Sequence, residues 1–276
     1  MPTASRFFTR LTIGVVVLAS ISFPLPTRGS PAGAGPSEPL RPDLKTLRPD
    51  DLVLERNSSA AQGADILRFS NEILNKGTGP MELRPEGDCD GDPATQDDRI
   101  AYQRVFEDTD SSGAFEREGG DHALEYEAGC TRFHAAHSHW HFDDFALYEV
   151  IAYNEDGTLD DDPVASTEKV GFCLVDTNRT RPDLASSPEV RHYAGTCMAD
   201  EATGISIGWS DLYAYWLPHQ WIDVTGVPLG TYCLRSTADP ENHLIEAKDG
   251  NNSRSIRVRL RAKRVEYSPR RRCLAP

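Results

Sequence analysis

The sequence predicts an all-β fold, a β-sandwich core with long loops, and three observations carry that reading. Short runs rich in β-branched and aromatic residues recur along the chain, clusters of Gly, Pro, Asn and Asp separate them, and no run sustains a helical apolar period for long. At 276 residues, 38% of them hydrophobic, the chain is long enough for one large domain or two small ones, with a sizeable core.

The elements follow in order. Residues 1–34 read as a secretory signal peptide: Arg6 and Arg10 precede the apolar "LTIGVVVLASISF", too short to span a membrane comfortably, and Ala32 and Ala34 give an Ala-x-Ala cleavage site. Residues 35–46 are Pro, Gly and Ser rich and predict a flexible linker. The folded domain, 47–276, opens with "PDDLVLE". "DILRFSNEIL", "RIAYQRVFE", "FALYEVIAY", "KVGFCLVD", "QWIDVTG" and "GTYCLRS" follow, each ended by a turn signal. In the last strand, "SRSIRVRLRAK", Ile256, Val258, Leu260 and Ala262 alternate with Arg257, Arg259, Arg261 and Lys263, so one face is buried and the other is solvated and basic.

Charge and cysteines set the partners and the compartment. The net charge is −14, and becomes −17 without Arg6, Arg10 and Arg28 of the acid-free leader. Such a surface repels nucleic acid and anionic membranes and favours cationic partners. Cys89, Cys130, Cys173, Cys197, Cys233 and Cys273 are too scattered for a zinc ribbon and, in an exported chain, predict disulfides whose pairing the sequence leaves open. After signal cleavage no stable membrane insertion is expected.

The stretch "HAAHSHWHFDDFALYEV", residues 134–150, carries the chemistry. On a strand, the spacing of His137, His139 and His141 sets three imidazoles on one face, with His134 as a spare. Three imidazoles with open positions suit copper or zinc, and these residues do not decide between them.

Several other segments then fall into place, because the chain resembles the catalytic domain of lysyl oxidases from Asp51 to Cys273. "PDDLVL" resembles the family's Pro-Asp-Leu-Val, "ILRFSNEILNKGTGP" its Leu-Arg-Phe strand, and "HSHWHFDDFALYEV" its His-x-His-x-His copper motif. "EKVGFCLVDT" and "GISIGWSDLYAYWLPHQWIDVTG" resemble its Lys-x-x-Phe-Cys-Leu and Asp-x-Tyr to Gln-Trp-Ile-Asp runs. The resemblance implies a secreted copper amine oxidase whose lysine tyrosylquinone cofactor forms from Lys169 and Tyr213. It would convert primary amines, peptidyl lysine among them, to aldehydes, consuming molecular oxygen and releasing ammonia and hydrogen peroxide. Asp211, Asp144 and His219 are the candidate general bases. Asp143 and Asp144 are also candidates to orient the metal-bound imidazoles.

The resemblance further implies a calcium site from Asp51, the Leu52 carbonyl, Glu246, Asn251 and Asn252, although Lys248 stands where the family has an acid, with Asp249 beside it. Outside the resemblance, "DTDSSGAF" places Asp108, Asp110, Ser112 and Gly113 at calcium-loop spacing but has Gly119 at the twelfth position, and reads first as an Asx-rich turn. Family cysteines correspond to Ala136, Trp209 and His219 here, so the Tyr213 loop needs another anchor, for which core packing of Trp209 and Trp216 is one expectation, and aromatic residues there lining a substrate groove is the other. Two other classes fit the histidines: a copper or zinc binding module without a quinone, and a zinc hydrolase with Asp143 or Asp144 as base. Only the oxidase requires both Lys169 and Tyr213.

Overall fold

Period-two alternation becomes antiparallel strands throughout the structure, a computed structural model that describes residues 39–92, 94–118, 121–135, 137–167, 170–268 and 273. The strands are β1 (Pro39–Leu40), β2 (Leu44–Thr46), β3 (Asp50–Ser58), β4 (Ala64–Asn75), β5 (Met81–Glu86), β6 (Asp98–Glu107), β7 (His122–His134) and β8 (His139–Tyr153). There follow β9 (Leu159–Ser166), β10 (Val170–Phe172), β11 (Thr203–Ile205), β12 (Ser210–Tyr213), β13 (Trp221–Asp223), β14 (Gly230–Ala238), β15 (Ser253–Leu260) and β16 (Val265–Tyr267). Among the described residues the helices are two single 3-10 turns, and no helix is long and apolar enough to cross a membrane.

Two sheets face one another. The larger runs β11-β5-β6-β7-β8-β14-β15-β16, with β1 added to β6 and β9 and β10 added to β8; the smaller is built around β4, which pairs with β2, β3, β12 and β13. Leu67, Phe69 and Ile73 of β4 share one core with Phe145, Tyr148 and Val150 of β8 and with Ile256, Val258 and Leu260 of β15. Phe69 meets Tyr148 edge-on at 4.8 Å between ring centroids. In β15 Ile256, Val258 and Leu260 are buried while Arg257 and Arg259 face solvent, as expected, but the strand ends at Leu260 and Ala262, expected on the buried face, is exposed.

The linker expectation is corrected at its C-terminal end. Residues 39–46 contain β1 and β2, with Leu40, Asp43, Leu44 and Thr46 buried, because β6 and β4 offer them partners. Strands of two and three residues are set by the sheet they join rather than by their own propensity. The expected signal peptide, 1–34, lies outside the described residues.

All six cysteines are bridged: Cys89–Cys130, Cys173–Cys197 and Cys233–Cys273. Residues Pro36–Pro276 form one compact unit.

Candidate metal centre and cavity

The histidines sit on a hairpin rather than on a single strand. β7 ends at His134 and β8 begins at His139, and these two residues face each other across the ladder. His139 and His141 share one face by strand alternation. His137 belongs to the connecting turn, its N–H and that of Ser138 donating to the His134 carbonyl at 3.0 and 2.9 Å, with Ser138 at φ 60°. The strand-spacing argument therefore accounts for His139 and His141, whereas the turn delivers His137.

The rings nevertheless converge. His137 Nδ1 lies 3.2 Å and His139 Nε2 lies 3.0 Å from the same atom, His141 Nε2. A ring nitrogen offers one N–H or one in-plane lone pair, so His141 Nε2 cannot make two good hydrogen bonds there. A cation taking all three lone pairs resolves the conflict. Two ligands about 2.0 Å from a tetrahedral ion stand about 3.3 Å apart, close to what is seen, so the donor set fits copper or zinc. His134 joins the group: its ligand nitrogen and those of His137 and His141 lie within 4.8 Å of one another. His134 Nδ1 and His137 Nε2 are buried without a hydrogen-bond partner.

Burial, reinforced by the neighbouring imidazoles, drives the His141 pKa down to about 3 and that of His137 down to about 4. His134 and His139 shift the same way, again chiefly by burial. His137 and His141 are therefore neutral at pH 7, the form that ligates metal.

Opposite the hairpin stands Tyr213, at the end of β12, which β4 holds in register through Tyr213 and Asn71. Its ring stacks on Phe172 at 3.6 Å between centroids and 18° between planes, and the Cys173 N–H donates to its hydroxyl at 2.6 Å. The Cys173–Cys197 bridge ties this contact to the hairpin, because the Cys197 carbonyl accepts the Trp140 N–H at 2.8 Å. Lys169, the other expected cofactor residue, lies outside the described residues; Val170 to Phe172, which follow it, pair with β8.

A cavity of about 380 Å³ joins the parts. His137, His139, Tyr213 and Asp211 line it, with Val175, Leu212, Leu217 and Pro218 as apolar walls. Asp211 is 1% exposed and neither carboxylate oxygen makes a hydrogen bond of normal geometry. Burial pushes its pKa well above the usual carboxylate range, helped by the Asp176 and Glu72 charges and opposed by the Val175 amide. Burial and then Asp211 likewise raise Tyr213 well above an ordinary phenol.

The other acids and bases fall elsewhere. His219 stacks on Trp221 at 5.2 Å and lies 5.7 and 6.0 Å, ring to ring, from His134 and His137. Asp144, at φ 56°, is not among the described lining residues. Asp143 donates no support to an imidazole in the described hydrogen bonds: it accepts from Arg132 at 2.8 Å, and burial, against that arginine's pull, lifts it to about 6. Trp209 packs into the core as expected, with its indole N–H on the Pro188 carbonyl at 3.0 Å, but Trp216 is 66% exposed, which corrects the expectation for that residue.

The expected calcium ligands divide. Glu246, Asn251 and Asn252 come together, but no described contact brings Asp51 or the Leu52 carbonyl to them. Asp51 accepts from Ser70 at 2.8 Å on β3 instead. Asp43 and Leu44 take their place: Asn251 Nδ2 donates to Asp43 at 2.7 Å and the Leu44 N–H to Glu246 at 2.5 Å. Asn252 Nδ2 donates to Glu246 at 2.7 Å. The side-chain oxygens of Asn251 and Asn252 are buried and without partners, as the oxygen donors of an absent hard cation would be. Asp43 is meanwhile paired with Lys76 at 3.0 Å. In the Asp108 loop the carboxylates accept the Ser112 and Gly113 N–H groups at 2.7–3.0 Å, an Asx turn as expected, while Gly119 lies outside the described residues.

The fold and site define an all-β domain in which a histidine hairpin that could hold a metal ion and a half-buried tyrosine line one largely apolar cavity. The sequence model of the lysyl oxidase family matches residues 122–269, which is more than half of the chain and includes both the hairpin and Tyr213. The chain belongs to the lysyl oxidase family. It is similar to lysyl oxidase homolog 2 of Rattus norvegicus, 31% identical over 134 residues, and to lysyl oxidase homolog 3 of Homo sapiens, 30% identical over the same length. Lysyl oxidase homolog 4 of Bos taurus is 29% identical. Each match covers 48% of this chain and 16% of the relative.

Proposed function

We propose that this is a secreted copper-dependent amine oxidase with a lysine tyrosylquinone formed from Lys169 and Tyr213, acting on primary amines, peptidyl lysine among them. The observation that carries the reading is the single cavity lined by His137, His139, Tyr213 and Asp211. His137, His139 and His141 would hold the copper, which with a quinone made from the Tyr213 ring would supply the electron sink; overall, amine, molecular oxygen and water would give aldehyde, ammonia and hydrogen peroxide, the oxygen being reduced to the peroxide.

The chain's own residues do the rest. The Phe172 stack and the Cys173 N–H fix the plane and the oxygen of the Tyr213 ring. Val175, Leu212, Leu217 and Pro218 favour the uncharged form of an entering amine. Asp211 is the carboxyl on the cavity wall, with neither oxygen in a hydrogen bond of normal geometry; desolvation makes its ionised form a strong base, suited to taking a carbon-bound proton beside Tyr213. A calcium ion would sit among Asp43, Glu246, Asn251 and Asn252, clasping the start of β2 to the loop between β14 and β15.

The test is copper-loaded, air-exposed protein, digested and searched by mass spectrometry for a covalent link between the Lys169 and Tyr213 peptides, with phenylhydrazine colour as a second readout. Wild type should give both, and Tyr213→Phe neither while still binding copper. Copper bound at the histidines with no link in wild type would reduce the reading to a metal-binding module.

A further inference from the structure

The cavity's volume of about 380 Å³ is near the lower end of the about 300–1,000 Å³ common for small-molecule sites. It accommodates an alkylamine arm, so the remainder of any larger amine must lie outside, over the rim. The loop from Ala214 to Gln220, between β12 and β13, supplies Leu217 and Pro218 to the wall. Directly before them comes Trp216, 66% exposed.

A single exposed aromatic is ordinary on a protein surface; the support beneath this one is not. Arg68, only 8% exposed, donates from one nitrogen to the carbonyls of Tyr215 and Leu217, both at 3.3 Å, and those two carbonyls flank Trp216. The same guanidinium is held by Glu55 at 2.8 Å. The Tyr215 N–H donates to Ser70 at 3.2 Å, the Leu217 N–H to the Ala214 carbonyl at 3.0 Å, and the Tyr215 ring stands edge-on to the indole at 5.2 Å. A buried charge is thus spent on fixing the backbone of a residue whose own side chain remains in water. A preorganised indole of this kind loses little freedom when something stacks on it.

We propose that Trp216 is a specificity-determining residue, the platform on which the part of the amine substrate beyond the cavity rests. The inference builds on the amine-oxidase reading, and it selects amines carried on a larger body with flat amide groups over short free amines. The indole face stacks on peptide planes and attracts a neighbouring cation.

The experiment is calorimetric binding of a blocked lysine-containing pentapeptide and of n-butylamine. It uses the full, copper-loaded chain in a Tyr213→Phe background, in which no amine is consumed. Trp216→Ala should lower the preference for peptide over butylamine by about fivefold or more, the least that truncating an aromatic anchor costs, and Trp216→Phe should restore most of it. An unchanged preference, or no peptide binding in the background protein, would overturn the proposal. Because no turnover is needed, the contrast is read even if wild type forms no quinone, a result that would count against the oxidase and not against Trp216.

Discussion

Asp211→Asn gives the sharpest test of the cavity's electrostatics. Asp211 is 1% exposed with both oxygens unpartnered, and its pKa in the fold stands well above the usual value. In the unfolded chain it titrates near pH 3.9. Below about pH 4 both states hold the proton and the wild-type fold has the full benefit; as pH rises from there toward the folded pKa, only the unfolded state loses the proton. Wild type therefore loses about 1.4 kcal/mol per pH unit on account of this one group. The asparagine does not titrate and escapes that slope, but it brings amide N–H donors to a place without acceptors, at a cost of about 1–3 kcal/mol. The variant should be the less stable protein at pH 4 and the more stable one at pH 7, with the curves crossing about 1.5 units above the unfolded value, near pH 5.5, for a cost of about 2 kcal/mol. Urea unfolding of the metal-free proteins at half-unit steps from pH 4 to 8 measures the difference, in which the other carboxylates cancel. Parallel curves would mean that Asp211 is ionised in the fold, and the account of it as a desolvated base would fail.

Four other outcomes are expected. His141→Ala removes the nitrogen that both neighbouring rings face, and should weaken copper binding by more than the about 100-fold that loss of a supporting residue alone can cause, as read by competition with a chromophoric chelator. Lowering the pH from 7 to 5.5 would weaken copper binding about 600-fold at three ordinary imidazoles of pKa about 6.5; with His141 near 3 and His137 near 4, the loss should be no more than about tenfold. Replacing Cys173 and Cys197 by serine opens a loop of 24-residue separation and should cost about 3 kcal/mol, a fall in Tm of about 6–12 °C. Calcium should raise the Tm of wild type and of Asp51→Asn but not of Asn252→Ala; equal responses from all three would remove the site.

The long strands were legible because each buries one face. The alternation in "SRSIRVRLRAK" and the apolar stretches of β4 and β8 needed only strand periodicity to be found. The chemistry was legible where it is local, as in the spacing of His139 and His141. It was not legible where it depends on pairing. That His137 lies in a turn follows from Ser138 taking a left-handed backbone, and that His134 stands opposite His139 follows from the β7–β8 register; neither is visible in spacing. The residues expected to bind calcium show the limit most plainly. "RPDLKTLRPDDLVL" contains two Pro-Asp segments followed by Leu, and nothing within either tells which one meets Glu246. The choice is made by a contact between residues 202 positions apart, Leu44 and Glu246, and it favours the segment that composition assigned to a linker.

The same dependence on long-range contact explains how the halves of the candidate site are kept together. The histidines belong to the β7–β8 hairpin of the larger sheet and Tyr213 to β12 of the smaller, so either sheet could shift against the other and separate them. What opposes this is local. Phe172, in β10 on β8, stacks on Tyr213, and Cys173 next to it holds the Tyr213 hydroxyl and is bridged to Cys197, whose carbonyl takes the Trp140 N–H between His139 and His141. Each link alone is worth about a kcal/mol or a few. In series they make the position of the ring relative to the imidazoles a property of one covalently closed segment, residues 173–197, rather than of the packing between the sheets. Opening the Cys173–Cys197 bridge should therefore impair formation of the proposed Lys169–Tyr213 link more than the proposed copper binding, since the hairpin keeps its histidines whether or not the tyrosine stays opposite them.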